Sequence, residues 1–248
     1  MQLMEKLFER YYDHRDVYTR KGEKENVIDE MEGLMAEGMK EPLLKRPFDI
    51  FLSSLGLLLS AWLWTLIWIA ILLEDGNPVL IKQQRIGRGG KLFTSLKFRS
   101  MVKSTLSEEI NIQAGENDSR VTFVGKLLRK TALDELPQLL SIFIGDMSFV
   151  GPRPLLPREV EINGNDPINI EDIPGHEKRI IVRPGLTGIA QVYASRDLPR
   201  RHKFKYDLLY IRKANFFLDL KLILLSFLVT FKRKWEDRHK KLEFLKKH

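Results

Sequence analysis

From Ile50 to Leu73 the chain runs IFLSSLGLLLSAWLWTLIWIAILL, 24 residues without a charged side chain. As an α-helix this stretch is about 36 Å long, against about 30 Å of bilayer hydrocarbon. It lacks the polar stripe that a core helix of a water-soluble domain normally carries. The pattern therefore predicts a membrane-embedded helix. It begins 50 residues into the chain and is too long for the apolar region of a cleavable signal peptide. Lys40, Lys45 and Arg46 precede it, and Lys82, Arg85, Arg88 and Lys91 follow. Positive charge on both flanks fits poorly with a simple crossing. A helix that enters and leaves on one face resolves the conflict, with Ser53, Ser54, Gly56 and Ser60 as places for a bend. Asp49 falls where a carboxylate is favoured by the free N–H groups of a helix start.

The rest of the chain reads as a helix-rich α+β domain. Met1 to Leu44 repeats Val27, Ile28, Met31, Leu34, Met35 and Met39 at helical spacing, an appended helical segment weakened by Gly33 and Gly38. Asn77 to Phe98 reads as two extended runs around Gly87-Arg88-Gly89-Gly90. Ser104 to Arg120 reads as loop with some helix, and Val121 to Ile144 as helix. Asp166 to Glu177 is loop-like, and IIVRPGLTGIAQVY reads as short strands around a Pro-Gly turn. FFLDLKLILLSFLVTF (Phe216 to Phe231) is apolar but broken by Asp219 and Lys221, which favours an interfacial amphipathic helix over a second span. The domain plan is thus 1–44, the membrane helix 45–74, a main body 75–232 and a basic tail 233–248.

Charge narrows the choice of partner. The chain carries +8, yet residues 1–44 hold 7 Lys/Arg against 11 Asp/Glu, net −4, which leaves the other 204 residues at +12. A basic body implies an anionic partner: nucleic acid, a phosphorylated substrate or acidic lipid. Lys232 to His248 has eight Lys/Arg and three acids. Beside an apolar helix, such a tail suits anionic headgroups at about 1 kcal/mol per Lys/Arg, although it also suits plain solvent. Nucleic acid is disfavoured, because the charge accompanies membrane-facing segments rather than an aromatic-studded groove. There is no cysteine, so disulfides and thiolate metal sites are excluded, and the five scattered histidines do not form a zinc pattern.

Candidate chemistry concentrates in Leu127 to Pro154, LLRKTALDELPQLLSIFIGDMSFVGPRP. Asp134 and Glu135 lie between Arg129 and Lys130 on one side and Arg153 on the other. Neighbouring helical residues point about 100° apart, so the two carboxylates can share one metal only near a helix start or kink. Pro137 supplies that context. Taken alone, the pair reads first as a helix N-cap. Arg153, Lys97 and Arg99 could each be a structural anchor or a phosphate ligand, and Arg183 could pin a loop or touch a nucleotide. Asp207 and Asp219 read as structural partners of nearby Arg and Lys.

Five segments in order remove much of that ambiguity: Lys45-Arg46-Pro47-Phe48-Asp49 opening the apolar helix, Asp75 to Met101, the Leu127–Pro154 stretch, VRPGLTGIAQV (Val182 to Val192) and DLLYIRKANFFLDLKLI (Asp207 to Ile223). Together they resemble the bacterial sugar transferase family, the monotopic phosphoglycosyl transferases that begin lipid-linked glycan assembly, over about residues 45–232. The resemblance implies transfer of a sugar 1-phosphate from a nucleoside diphosphate sugar, expected to be a UDP-sugar, to polyprenyl (undecaprenyl) phosphate. It implies Asp134 as nucleophile in a covalent aspartyl-phosphosugar intermediate and Glu135 as the residue linked to Mg²⁺. Arg129, Arg153, Lys97 and Arg99 become phosphate-binding candidates, since an Arg fork can hold phosphate oxygens in pairs. It places the protein at the bacterial inner membrane with the catalytic domain facing the cytoplasm, and the extra N-terminal helix makes a homodimer a candidate assembly. One departure stands out: the family's helix typically carries a Ser-Pro pair at its midpoint, whereas here Ser60-Ala61-Trp62 occupies that place. A glycosyltransferase with a DxD-type metal site and a non-enzymatic membrane adaptor are the competing classes. No DxD pattern appears, and an adaptor leaves the clustered acids and bases without a role.

Overall fold

The computed structural model describes residues 41–102, 118–163, 166–194 and 198–231. The expected N-terminal helix (with the dimer surface it would offer), the 104–117 loop and the basic tail lie outside these residues. From Pro42 onward the first element is α1 (Lys45–Asp75), a single unbroken helix of 31 residues. The bend expected at its serines does not interrupt it. Instead Ser53 Oγ donates to the Asp49 carbonyl at 2.6 Å and Ser54 Oγ to that of Ile50 at 2.7 Å. These bonds satisfy the hydroxyls within the helix.

The side of α1 that meets the protein is a stripe running its full length. Lys45, Asp49, Ser53, Ile67 and Ile71 are buried. Between them, Leu57 packs with Phe93, Leu139, Ile142 and Met147. Leu63 and Trp64 pack on a cluster of Ile67, Ile71, Val79, Phe98 and Leu128. Spacings of three and four residues keep these positions on one face. The opposite face is bare and apolar: Phe51, Leu55, Leu58, Leu59, Trp62, Leu66, Ile69 and Leu73 are all exposed. Such a surface is unfavourable in water and matches lipid.

After α1 the extended run forms the expected antiparallel pair, β1 (Leu80–Ile86) and β2 (Leu92–Phe98), joined through a 3₁₀ turn at Arg88–Gly90. Leu80 lies opposite Phe98 and Ile86 opposite Leu92. Then come α2 (Phe123–Thr131), a 3₁₀ turn at Leu133–Glu135, and α3 (Gln138–Ile144). β3 (Ser148–Val150) pairs in parallel with β6 (Gly185–Thr187), while β4 (Val160–Asn163) and β5 (Asp166–Asn169) form a separate hairpin. The helices α4 (His176–Arg179), α5 (Ile189–Tyr193), α6 (Arg200–Lys213) and α7 (Phe216–Phe231) complete the fold.

Two sequence expectations change. Asp166 to Glu177 is not simply a loop, because β5 and the start of α4 lie in it. The Pro-Gly segment yields one strand and then a helix at Ile189, not strands on both sides. The reason is tertiary. Gly185 packs so tightly on Gly151 that an added Cβ would lie 2.0 Å from the Gly151 nitrogen. Pairing with β3 fixes the first half, and burial of Ile189, Ala190 and Val192 takes the second into the core. α7 is a helix with two unlike faces: Asp219, Leu222, Leu225 and Val229 face inward, whereas Phe217, Leu220, Leu224, Phe227 and Leu228 are exposed.

Candidate active site

The turn carrying Asp134 and Glu135 follows from the order Leu-Asp-Glu-Leu. α2 ends at Ala132, which is left-handed (φ 56°) and donates its N–H back to Arg129 and Leu128. The chain then makes one 3₁₀ turn, in which residues three apart eclipse. Leu133 and Leu136 therefore point together into the core, where both pack on the Phe98–Leu128 cluster. The two carboxylates between them are turned the other way. Pro137, buried at the start of α3, prevents α2 and α3 from fusing into one helix. The kink that a shared site requires is thus built from two leucines, a left-handed alanine and a proline.

Basic groups converge on this turn from three elements. Lys97 of β2 donates to Glu135 Oε1 at 2.6 Å, and Arg153 Nη2 approaches the same oxygen at 3.4 Å. Arg129, from the last turn of α2, is held by Nε donating to Ser100 Oγ at 2.9 Å. Burial works against ionisation of Glu135, but Lys97 and then Arg153 overcome it and hold the carboxyl down at about 2. Asp134 goes the other way: burial and then the Glu135 charge raise it, while Lys97, Arg129 and Arg153 oppose the rise. Carboxyls displaced in this way by burial and by specific charged neighbours make the turn a candidate functional site.

Arg99 does not join them. Strand alternation would put Lys97 and Arg99 on one face, but β2 ends at Phe98, and the Arg99 N–H pairs instead with the Val79 carbonyl. Its buried guanidinium donates to the carbonyls of Pro78 (2.6 Å) and Gly76 (2.8 Å) and pairs with Asp75 at 3.1 Å. Arg99 fixes the exit of α1, and the phosphate-binding expectation for it is corrected. Replacing it with Met should lower the thermal midpoint by several degrees, through loss of the two carbonyl bonds and the pair with half-exposed Asp75, while the donor KM stays put. A raised donor KM at unchanged stability would return Arg99 to the site.

The sequence did not single out the supports. Arg85 donates to the Pro154 carbonyl, and burial, then Arg153, lower it to about 10. Arg179 donates to the Arg153 carbonyl at 2.7 Å and pairs with buried Asp207 at 2.7 Å. Arg200 in turn binds Glu159. Arg85 and Arg179 thus pin the Gly151–Pro154 loop that presents Arg153. Their signal in the sequence was only the excess of arginine, and it says nothing of which carbonyl each one meets. Arg183 pins a loop, through the Gly145 carbonyl at 3.0 Å.

The donor set bears on magnesium. Among the described residues there is no group of three His, Cys, Asp or Glu side chains able to hold a metal. Asp134 and Glu135 supply two carboxylates, and one Glu135 oxygen already accepts from Lys97. Mg²⁺ commonly uses one or two carboxylates together with substrate phosphates and water. The residues therefore fit a Mg²⁺ that arrives with a diphosphate, and not a cage occupied on its own.

Both ends of α1 are tied to this same body. At its start, Lys45 Nζ bonds the Val150 carbonyl, Tyr210 and Asp219, the last at 2.6 Å, and Arg46 bonds the carbonyls of Ile142 and Phe143. Asp49 Oδ1 accepts from the Phe149 N–H at 3.1 Å. At its end, Glu74 accepts from the first N–H groups of α2, Phe123 at 2.7 Å and Val124 at 3.1 Å. The apolar helix thus grips α3 and β3, which leads into the Arg153 loop, with one end and the Arg129 helix with the other.

Residues 40–233 match the model of the family described as bacterial sugar transferase. The UDP-glucose:undecaprenyl-phosphate glucose-1-phosphate transferase of Klebsiella pneumoniae is 41% identical over 189 residues, 74% of this chain and 39% of that protein. The undecaprenyl-phosphate galactose phosphotransferase of Salmonella typhimurium is 33% identical over 204 residues, 77% of this chain and 41% of that protein. The exopolysaccharide production protein ExoY of Rhizobium meliloti is 37% identical over 195 residues and is covered to 82% of its length. The chain aligns with only about two fifths of the length of the first two relatives. An unbroken match from the entry of α1 to the end of α7, together with this site, means that the chain belongs to the bacterial sugar transferase family.

Proposed function

We propose that this protein transfers a sugar 1-phosphate from a UDP-sugar to undecaprenyl phosphate, beginning the assembly of a lipid-linked glycan. The observation that carries the reading is the split Asp134-Glu135 pair, ringed by Lys97, Arg129 and Arg153 at the foot of a lipid-matching helix. Relatives whose names specify UDP-glucose and UDP-N-acetylgalactosamine support the choice of donor.

The chain's residues divide the work as follows. An Asp134 carboxylate oxygen attacks the sugar-bearing phosphorus, the bond to the bridging oxygen breaks, and UMP leaves. The lipid phosphate then attacks the same phosphorus and frees Asp134, giving the polyprenyl diphosphosugar. A carboxylate approaching a diphosphate meets strong repulsion, so fixed positive charge is required. Arg129 and Arg153 provide it as forks and Lys97 as a point charge. Glu135 would hold a Mg²⁺ arriving with the donor, and that ion would supply further charge neutralisation. Glu135, kept ionised by Lys97, holds its place without competing as the nucleophile.

The test incubates purified protein with a panel of labelled UDP-sugars and undecaprenyl phosphate. UMP together with label in the lipid phase is the expected product pair. UDP as the product would overturn the reading in favour of direct glycosyl transfer. A second expectation concerns the metal. Titrating Mg²⁺ calorimetrically into the protein alone should give little heat, and binding should appear once UDP-sugar is present, with EDTA abolishing turnover. Tight binding to the free protein would contradict a two-carboxylate site.

Attachment is proposed to be one-faced, at the cytoplasmic side of the inner membrane. Ion pairs and N–H bonds at both ends of α1 reach the same body, and Lys/Arg flank both ends, as the positive-inside rule favours for the cytoplasm. α7 adds an exposed apolar stripe suited to the interface. The chain has no native cysteine, so Leu43→Cys and Lys82→Cys can be labelled singly in inverted vesicles. Both should react from the cytoplasmic side, and opposite labelling would establish a spanning helix.

A further inference from the structure

The acceptor lipid must bring its phosphate from the bilayer to Asp134, and one helix joins the two places. α2 starts against the last turn of α1, where Glu74 accepts its first N–H groups. It ends at Thr131, three residues before Asp134. Over its nine residues it rises only about 12 Å. Leu128 and Gly125 are its buried side, and at Gly125 an added Cβ would lie 2.1 Å from the Ser100 carbonyl oxygen. Its outward side is unusual. Phe123 is 82% exposed and Leu127 58%, while Lys126 and Lys130 are exposed beside them. At 100° per residue these four fall within one arc, as two adjacent rows whose members are one turn apart. One row is apolar and one cationic.

An exposed Phe and Leu on a solvated helix have no partner in water. Here they continue the bare face of α1, whose Leu73 is 81% exposed and adjoins the Glu74 cap. The lysine row runs along the same helix, and Lys130 lies four residues before Asp134 in the chain. The combination of chain-binding and phosphate-binding groups on one face suits an amphiphile with an isoprenoid tail and a phosphate head.

We propose that the outer face of α2 is the docking ramp for the acceptor polyprenyl phosphate. Its isoprenoid chain lies over Phe123 and Leu127, and Lys126 and Lys130 draw the phosphate along to Asp134. This rests on the proposed function, which supplies the acceptor. The ramp is separate from the groups that meet the donor, so the two half-reactions should respond differently to changes in it.

The experiment compares wild type with Lys126→Gln/Lys130→Gln and with Phe123→Ser/Leu127→Ser, in detergent micelles. Without acceptor, the UMP burst from the active UDP-sugar reports a folded, donor-competent site, and both variants should keep its amplitude. With undecaprenyl phosphate, the lysine variant should raise the acceptor KM on the order of 25-fold, a factor of about five per lysine near a charged lipid. The apolar variant should raise the KM for undecaprenyl phosphate but not for citronellyl phosphate, a short acceptor with little chain to bind. An acceptor KM within twofold of wild type in both variants overturns the ramp. It is also overturned if the variants lose activity only in proportion to lost binding of phosphatidylcholine–phosphatidylglycerol vesicles, because α2 is then a general anchor. A wild type that releases no UMP with any donor overturns the proposed function itself, and the ramp with it.

Discussion

Asp134→Asn should fold, release no UMP above background and carry no trapped phosphosugar. An amide oxygen is a poor nucleophile, and removing the attacking group of a covalent mechanism commonly costs about 10⁴-fold or more. The fold should not suffer. Burial and the Glu135 charge raise the Asp134 carboxyl, so its ionised form is held at a cost at neutral pH. The neutral amide relieves that cost, and the thermal midpoint should equal or slightly exceed wild type. Label release, intact-protein mass spectrometry after mixing with UDP-sugar, and a melting curve together check the prediction. Normal turnover in this variant would end the covalent proposal. A stable adduct on another residue would reassign the nucleophile and leave the transfer reaction standing.

The largest effect on stability is expected at Lys45. Its ammonium and Asp219 are 2.6 Å apart, with side chains 6% and 4% exposed, and Tyr210 donates to the other Asp219 oxygen at 2.8 Å. Lys45→Met leaves Asp219 buried without its counter-charge, at about 3–5 kcal/mol. For a body of this size that is roughly 10 °C in the thermal midpoint. The double change Lys45→Met/Asp219→Leu should recover much of the loss, because a well-packed apolar pair often replaces a buried ion pair without penalty. Additive losses in the double variant would show instead that Lys45 acts mainly through the Val150 carbonyl, 2.9 Å away. That carbonyl precedes the loop bearing Arg153, so activity in Lys45→Met should fall beyond the loss of folded protein.

Much of the site was legible because local chemistry dictated it. Leu133 and Leu136 straddle the two acids, and Pro137 forbids a continuous helix, so presenting Asp134 and Glu135 from a kink follows from five residues in a row. The β1–β2 hairpin was equally local, since its turn contains Gly89 and Gly90 at positive φ. Arg99 shows where this reasoning stops. It stands two residues from Lys97 in an alternating run, and only the end of strand pairing at Phe98 sends the two side chains to different tasks. Arg85 and Arg179 were invisible for the same reason: their partners are carbonyls 69 and 26 residues away.

The sequence by itself determined that one long apolar helix meets lipid, that a basic body follows it, and that two acids sit at a break between helices. These are consequences of composition and short-range spacing, where hydrophobicity and backbone sterics act within a few residues. The tertiary structure decided how the pieces face each other. It laid α1 along the body with both ends bound, removed Arg99 from the phosphate candidates, and gave Glu135 to Lys97 and Arg153 while leaving Asp134 raised. Those outcomes depend on contacts between residues far apart in sequence, where burial and charge act through space.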